Sequence, residues 1–252
     1  VTALDTAYNY SGFASHRMLR TSAGNLLDEF DLSTKVGFFR DGHDLEPTRL
    51  RIAVEESAEH LGRPPNTVLL HNPETSPAGF AAACEALAAM REAGLFERWG
   101  ISSWDPRLLL CRPYRGPRPD VLMVRAGLMV PTAVLEAADA MTYAVRPRER
   151  WGMAPFGHNA RNPVWNAVDA SVFLAPEQTA SMIHAAFAVA FSLPTVTRVA
   201  VGTTNPDHLR ELKAACSLAL NDQAVGRYRT MLHRKATFGV VHAHQPPPGV
   251  RA

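Results

Sequence analysis

Short apolar runs alternate with amphipathic stretches along almost all of this 252-residue chain, and that alternation restricts its fold more than any other feature. Runs near 1–6, 30–36, 66–71, 97–102, 120–125, 150–154 and 198–202 have the length and the β-branched or leucine-rich content of buried strands. Between them the spacing predicts helices near 15–29, 47–61, 77–93, 106–112, 132–143, 178–191 and 206–216, with a further one near 222–235. Strand then helix, repeated throughout, is the pattern of an α/β parallel sheet with crossover helices. A closed parallel barrel usually takes about 250 residues. The expectation is therefore one barrel domain over 1–235, followed by an extended tail, 236–252, with its Pro-Pro-Pro run. The predicted strands number seven, and closure needs eight. Open edges are unfavourable, so a first strand–helix unit is expected to be missing from this chain, or a partner to cover the gap.

The punctuation agrees with the period. Ser76-Pro77, Asp105-Pro106 and Asn205-Pro206 each place a capping side chain before a proline, which loses nothing in a first helical turn. Gly62 and Gly94 stand where helices end in a left-handed residue. After Pro77, the spacing of Phe80, Cys84, Leu87 and Arg91, widened by Ala81 and Ala88, makes an apolar stripe expected to lie on the strands. Residues 155–177 are irregular and carry Trp165 and Phe173; a long loop of this kind in a compact domain is usually functional or disordered.

In a parallel barrel the reacting side chains stand at strand ends. Here Asp5 and Tyr10 follow the first run, Lys35 ends the second and His71 the third. Together they make a proton-donating set: a phenol beside an ammonium, a carboxylate to orient the ammonium, and an imidazole. Lysine occurs only at 35, 213 and 235, the other cations being arginine, so one at a strand end is less readily incidental. Alone, Asp5 and Lys35 would read first as a structural ion pair. Tyr10 and His71 in the same chain order reverse that preference.

The composition excludes several classes. A net charge of +2 gives no strong attraction to nucleic acid or to a membrane surface. No run of about 20 apolar residues spans a bilayer, and no signal peptide is visible. Cys84, Cys111 and Cys216 are far apart and lack CxxC pairing, as free thiols in a reducing compartment would be. A cytoplasmic protein is expected. His242 and His244 have no third ligand and read as solvated, so no metal is expected.

Six segments in order resemble the aldo-keto reductase superfamily. They are Asp5-Thr6-Ala7-Tyr8-Asn9-Tyr10, Thr34-Lys35-Val36, Leu70-His71, Gly100-Ile101-Ser102-Ser103-Trp104, Ala154-Pro155-Phe156-Gly157 and Gly202-Thr203-Thr204-Asn205-Pro206. The resemblance implies a (β/α)8 TIM barrel that binds NADPH without a Rossmann motif, and carries over Asp5, Tyr10, Lys35 and His71 as its catalytic tetrad. The implied reaction is reduction of an aldehyde or ketone by hydride transfer, with Tyr10 as proton donor, Lys35 favouring its phenolate, Asp5 fixing Lys35, and His71 orienting the carbonyl. It also implies NADPH or NADP contacts at Ser102, Ser103, Met123, Met153, Pro155, Phe156, Gly157, Gly202, Thr203, Thr204, His208 and Glu211. The chain departs from the family pattern at five of the aligned positions. Ser103 replaces an asparagine, Met123 a glutamine, Met153 a ring-stacking aromatic, His208 an arginine and Leu212 an asparagine. Ser102 still supplies a hydrogen bond, and Met153 can cover a ring by soft contact.

Tyr8, Trp104 and His158 are candidate substrate contacts. The bland alternatives are packing for Tyr8 and loop anchoring for Trp104 and Trp165. The irregular 155–177 segment points to a bulky, partly apolar small-molecule carbonyl substrate. Two other functions fit the same residues: a non-catalytic NADP-binding regulatory subunit, and an alcohol or sugar dehydrogenase running in the oxidative direction. Substrate identity, physiological direction, NADPH against NADH and oligomeric state are not encoded in these motifs.

Overall fold

The computed structural model describes residues 1–157 and 159–242, with residues 235–242 described by their backbone alone. Its strands are β1 (Ala3–Asp5), β2 (Asp31–Val36), β3 (Phe38–Phe39), β4 (Gly42–His43), β5 (Thr67–His71), β6 (Arg98–Ser103), β7 (Val121–Arg125), β8 (Glu149–Met153) and β9 (Arg198–Ala200). Its α-helices are α1 (Tyr10–Phe13), α2 (Ser15–Ala23), α3 (Pro47–Leu61), α4 (Phe80–Glu92), α5 (Thr132–Val145), α6 (Met182–Ala190), α7 (Pro206–Ala215) and α8 (Asp222–His242). Seven strands form one sheet in the order β1-β2-β5-β6-β7-β8-β9, every neighbouring pair parallel. The result is a nearly closed α/β barrel, the (β/α)8 arrangement with one strand missing. Among the described residues no strand pairs β1 with β9.

A strand turns alternate residues to opposite faces, and the register carries one face unbroken around the sheet. Lys35 pairs with Leu69 and Leu69 with Gly100; His71 pairs with Ser102, Ser102 with Met123 and Met123 with Trp151. That is the inner face. Leu69, Val121, Met123 and Trp151 pack there as an apolar layer joined by Met153 and Ala200. Gly100 is obligatory in it, since a Cβ would lie 2.2 Å from the Val121 carbonyl oxygen and 2.7 Å from Leu69 Cδ2. Below this layer, at the N-terminal ends of the strands, the interior is ionic. Arg98 and Arg198 both bind Asp31, and both stack on Trp151, 5.7 and 5.1 Å from its ring centroid. Trp151 Nε1 donates to Glu149 at 2.8 Å. The Arg198–Asp31 pair joins β9 to β2, so charge ties together the two sides of the seam.

The outward residues of the same strands meet the helices. Val68, Leu70, Trp99, Ile101 and Leu122 pack with Phe80, Cys84 and Leu87 of α4 and with Ala138 and Met141 of α5. Cys84 is buried there, its thiol pushed up to about 12 by burial, and all three cysteines are free. Asn205 caps α7 through Asp207 N at 2.9 Å, and Gly62 ends α3 with φ 71°.

Several elements differ from the sequence reading. The β3–β4 hairpin was not expected. The helix expected over 15–29 gives way at Gly24 to a 3-10 turn, and the one over 106–112 is a 3-10 turn, Pro106–Cys111, throughout. α6 starts at Met182, where Ser181 caps His184 N, rather than at 178. α8 continues to His242, so the first part of the segment expected to be extended is helical; residues 243–252, with His244, lie outside the described residues. Among the described residues no helix is long and apolar enough to cross a membrane, and no group of His, Cys, Asp and Glu is arranged to hold a metal ion.

Asp31 gives a direct test of the ionic floor. Burial alone would raise its carboxyl, but hydrogen bonds from Arg98 and Arg198 outweigh burial and hold it below the ordinary value of 3.8. Asp31→Asn is expected to lower the free energy of unfolding by roughly 1–3 kcal/mol at pH 7, measured by chemical denaturation. The carboxylate's contribution is present above the unfolded value and lost as pH falls through the lower folded one. Wild type and variant should therefore converge in strong acid.

Candidate active site

The four strand-end residues meet at the C-terminal mouth. Lys35 is only 2% exposed, and its ammonium donates to Asp5 Oδ2 at 2.5 Å and to the Thr6 carbonyl at 2.9 Å. The other Asp5 oxygen accepts from Ser33 Oγ at 2.7 Å, so its carboxylate is fixed at both ends. A buried charge needs such partners, and the β1–β2 register supplies them. Tyr10 lies with its ring centroid 5.1 Å from Lys35 Nζ and 5.8 Å from the His71 ring. The ammonium sits over the ring and makes no hydrogen bond to the Tyr10 hydroxyl.

Tyr10 is placed by an unusual turn. Ser11 (φ 52°, ψ 39°), Gly12 (φ 63°, ψ 38°) and Phe13 (φ 69°) are all left-handed. Only glycine adopts this region freely; a non-glycine residue costs about 1–2 kcal/mol. The Phe13 ring holds the turn down, packed edge-on to Tyr8 at 5.4 Å and under the Arg40 guanidinium at 4.7 Å.

His71 is 8% exposed, and its Nδ1 is buried without a hydrogen-bond partner. Burial, with lesser contributions from Lys35 and His43, lowers its pKa to about 3, so the ring is neutral at pH 7. A neutral imidazole can donate one hydrogen bond without bringing a second charge near Lys35. The β3–β4 hairpin braces it. Phe38 stands edge-on to both His71 (5.0 Å) and His43 (4.6 Å). His43 Nε2 is 2.9 Å from the His71 carbonyl oxygen, and its Nδ1 is 2.9 Å from Ser76 Oγ. Phe38 and His43 had no signal in the sequence, because the hairpin is too short to show a period.

Of the residues expected to hold the nicotinamide, Ser102, Met123 and Met153 share the inner face. Ser102 is fully buried, and the only hydrogen-bond partner of its hydroxyl among the described residues is Met153 Sδ, 3.9 Å away. Ser103 turns the other way. Its hydroxyl donates to Glu74 Oε2 at 2.9 Å, while Glu74 Oε1 accepts from Trp104 N (2.6 Å) and Asp105 N (2.9 Å). Burial raises the Glu74 carboxyl and these hydrogen bonds oppose that. Glu74 thus fastens the β6 loop, a part the sequence left unassigned although it follows His71 by three positions.

The remaining expected residues lie further out. Pro155, Phe156 and Gly157 form the turn after β8. The Phe156 ring packs against Trp165 (6.0 Å) and Phe187 (6.1 Å). Trp165 is buried there with Nε1 on the Asn159 carbonyl, as a loop anchor would be. Gly202, Thr203 and Thr204 are exposed just before α7, with open space where a Gly202 Cβ would stand. On α7, His208 and Glu211 are exposed, and Glu211 Oε2 is 3.5 Å from His184 Nε2. Tyr8 is spent in the helix layer. Its hydroxyl donates to Glu56 of α3, and burial, with Glu56, raises the phenol to about 12. Trp104 lies under the Arg125 guanidinium, 4.5 Å from its ring centroid. His158 lies outside the described residues. Arg125, last of the inward residues of β7, was missed; counting two beyond Met123 would have found it.

The aldo/keto reductase family model matches residues 1–110. No curated protein matches the chain. Among solved structures, the holo form of aldo-keto reductase AKR11C1 from Bacillus halodurans is similar with a TM-score of 0.72 at 17% identity, over 93% of this chain and 82% of that one. An aldo/keto reductase from Klebsiella pneumoniae in complex with NADP and acetate gives 0.68 at 17% identity, over 100% and 83%. An aldo/keto reductase from Brucella melitensis gives 0.63 at 16% identity, over 90% and 82%. At these identities the solved structures speak for the fold alone.

The state of His71 is open to direct observation. Its ring resonances in an NMR titration should stay constant from pH 8 to pH 5, where an ordinary histidine titrates near 6.5. His16, bonded to Thr34 Oγ1 at 2.8 Å and lowered by burial to about 4, should behave alike. The unfolded chain takes these protons near 6.5 and the folded chain does not, so both residues should make stability fall as pH drops below that value.

Proposed function

We propose that this chain is a member of the aldo-keto reductase superfamily and works as an NADPH-dependent reductase of an aldehyde or ketone, with Tyr10 as proton donor. The observation that carries the reading is the buried Lys35 ammonium, held by Asp5 and Thr6 and set against the Tyr10 ring. As a proton leaves the phenol, negative charge would develop beside a fixed positive one. Electrostatic preorganisation of that kind lowers a barrier. The neutral His71 ring, 5.8 Å from that of Tyr10, would direct a carbonyl oxygen toward the Tyr10 hydroxyl.

The mouth suits a nicotinamide cofactor. The Ser102 hydroxyl is buried with, among the described residues, only a sulfur for partner, Met123 and Met153 offer a polarizable apolar surface for a ring, and the open backbone before α7 suits a phosphate. Ser102, Met123 and Met153 would hold the nicotinamide end, Gly202, Thr203 and Thr204 the phosphates, and His208 and Glu211 would border the adenosine. When bound, the cofactor supplies a hydride to the carbonyl carbon. Asp5 and Lys35 then serve to keep the phenol ready, and His71 to align the substrate.

A second reading, a non-catalytic NADP-binding subunit, has one observation in its favour: the Ser103 hydroxyl donates its one proton to Glu74 and cannot also donate to a carboxamide oxygen. The tetrad weighs against it, since a sensor has no use for a phenol set beside a buried ammonium. A dehydrogenase running toward the carbonyl would use the same residues in reverse.

NADPH consumption with aromatic and aliphatic aldehydes, followed by the loss of its absorbance, tests the proposal. Tyr10→Phe is expected to lower kcat by about 10²–10⁴-fold, with NADPH affinity retained by fluorescence titration. NADPH binding without turnover of any aldehyde or ketone would favour the non-catalytic reading.

A further inference from the structure

Arg125 is a cation at the mouth whose hydrogen bonds lead nowhere in the described chain. It ends β7, pairs with Met153 across β8, and shares the inner face with Val121 and Met123. It therefore stands one inward position above the layer of His71, Ser102 and Met123. Its guanidinium lies over Trp104, and its Nε is buried with no hydrogen-bond partner. None of its N–H groups binds a described residue, and no carboxylate among the described residues forms an ion pair with it. Asp105 is near enough to be felt electrostatically, but both its oxygens are taken by Arg107, at 2.8 and 2.5 Å. Both oxygens of Glu74 are taken by the β6 loop.

This is an expensive arrangement unless something uses it. The buried Nε–H loses hydration, and only the Trp104 ring and the distant pull of Asp105 offset that loss. The guanidinium is a planar fork that matches a carboxylate in two parallel bonds, and contact with the Trp104 ring at 4.5 Å restricts where it can stand. The Trp104 loop is itself pinned by Glu74, so the fork is held in advance of any ligand.

We propose that Arg125 recognises a carboxylate on the substrate, so that the site takes a carbonyl compound carrying an anionic end. This rests on the reductase reading and refines the expectation of a bulky, partly apolar substrate to one whose apolar body ends in a charge.

The test compares two aldehydes of similar size, 4-carboxybenzaldehyde and 4-methylbenzaldehyde, in the wild type, Arg125→Gln and Arg125→Lys. The wild type should favour the carboxylate by at least about tenfold in kcat/KM, and Arg125→Gln should bring the ratio close to one, chiefly through KM. Arg125→Lys should retain part of the preference. NADPH affinity, titrated by fluorescence, should change less than about twofold, a fraction of the energy of one hydrogen bond. A wild-type preference below about threefold, or one that survives in Arg125→Gln, overturns the proposal. Equal losses on both aldehydes with weakened NADPH binding also overturn it, and assign Arg125 to the cofactor. If neither aldehyde is turned over, the reductase reading fails separately. Calorimetry with 4-(hydroxymethyl)benzoate and 4-methylbenzyl alcohol then decides: carboxylate-dependent binding lost in Arg125→Gln upholds the anion site, and equal binding of the two rejects it.

Discussion

The mouth of this barrel is organised around one buried ammonium. Lys35 is removed from water almost completely, and a charge so placed must find its counter-charge and its hydrogen bonds within the protein. It finds them on the neighbouring strand, in Asp5 and in the carbonyl of Thr6. Those partners exist only if β1 and β2 run parallel in the register that sets Asp5 against Ser33. A slip of one residue would turn Lys35 into the apolar helix layer. The same register delivers the chain leaving β1 to the point where Tyr10 can stand beside the ammonium. Strand pairing, the position of the phenol and the electrostatics of the site are thus consequences of a single solvation requirement.

The left-handed turn at 11–13 completes that placement. Two of its three residues have side chains that disfavour the conformation, and the packing of Phe13 between Tyr8 and Arg40 opposes the strain. Tyr8 is important here as ballast: its hydroxyl is tied to α3, its ring supports Phe13, and so it acts on Tyr10 from outside the site.

The parts of this design that repeat were legible in the sequence. Seven buried runs separated by helical spacings pointed to the class of sheet, and strand-end residues separated by whole strand–helix units could be recognised as neighbours from their spacing alone. What could not be read was local and aperiodic. The β3–β4 hairpin is two short strands without a pattern, and with it went the bracing of His71 by Phe38 and His43. The direction of Ser103 was hidden for a different reason: adjacent serines at a strand end look equivalent in sequence, but the pleat sends Ser102 inward and Ser103 toward Glu74. Arg125 lay within reach of the period-two rule, and was passed over because its neighbours carried the resemblance and it did not.

The apolar layer through the middle of the barrel has a consequence beyond packing. Leu69, Val121, Met123 and Trp151 separate the Asp5, Tyr10, Lys35 and His71 cluster at the mouth from the arginines and acids at the floor. The layer is an insulator, with no polar chain among these side chains through which a proton could leak from one end to the other.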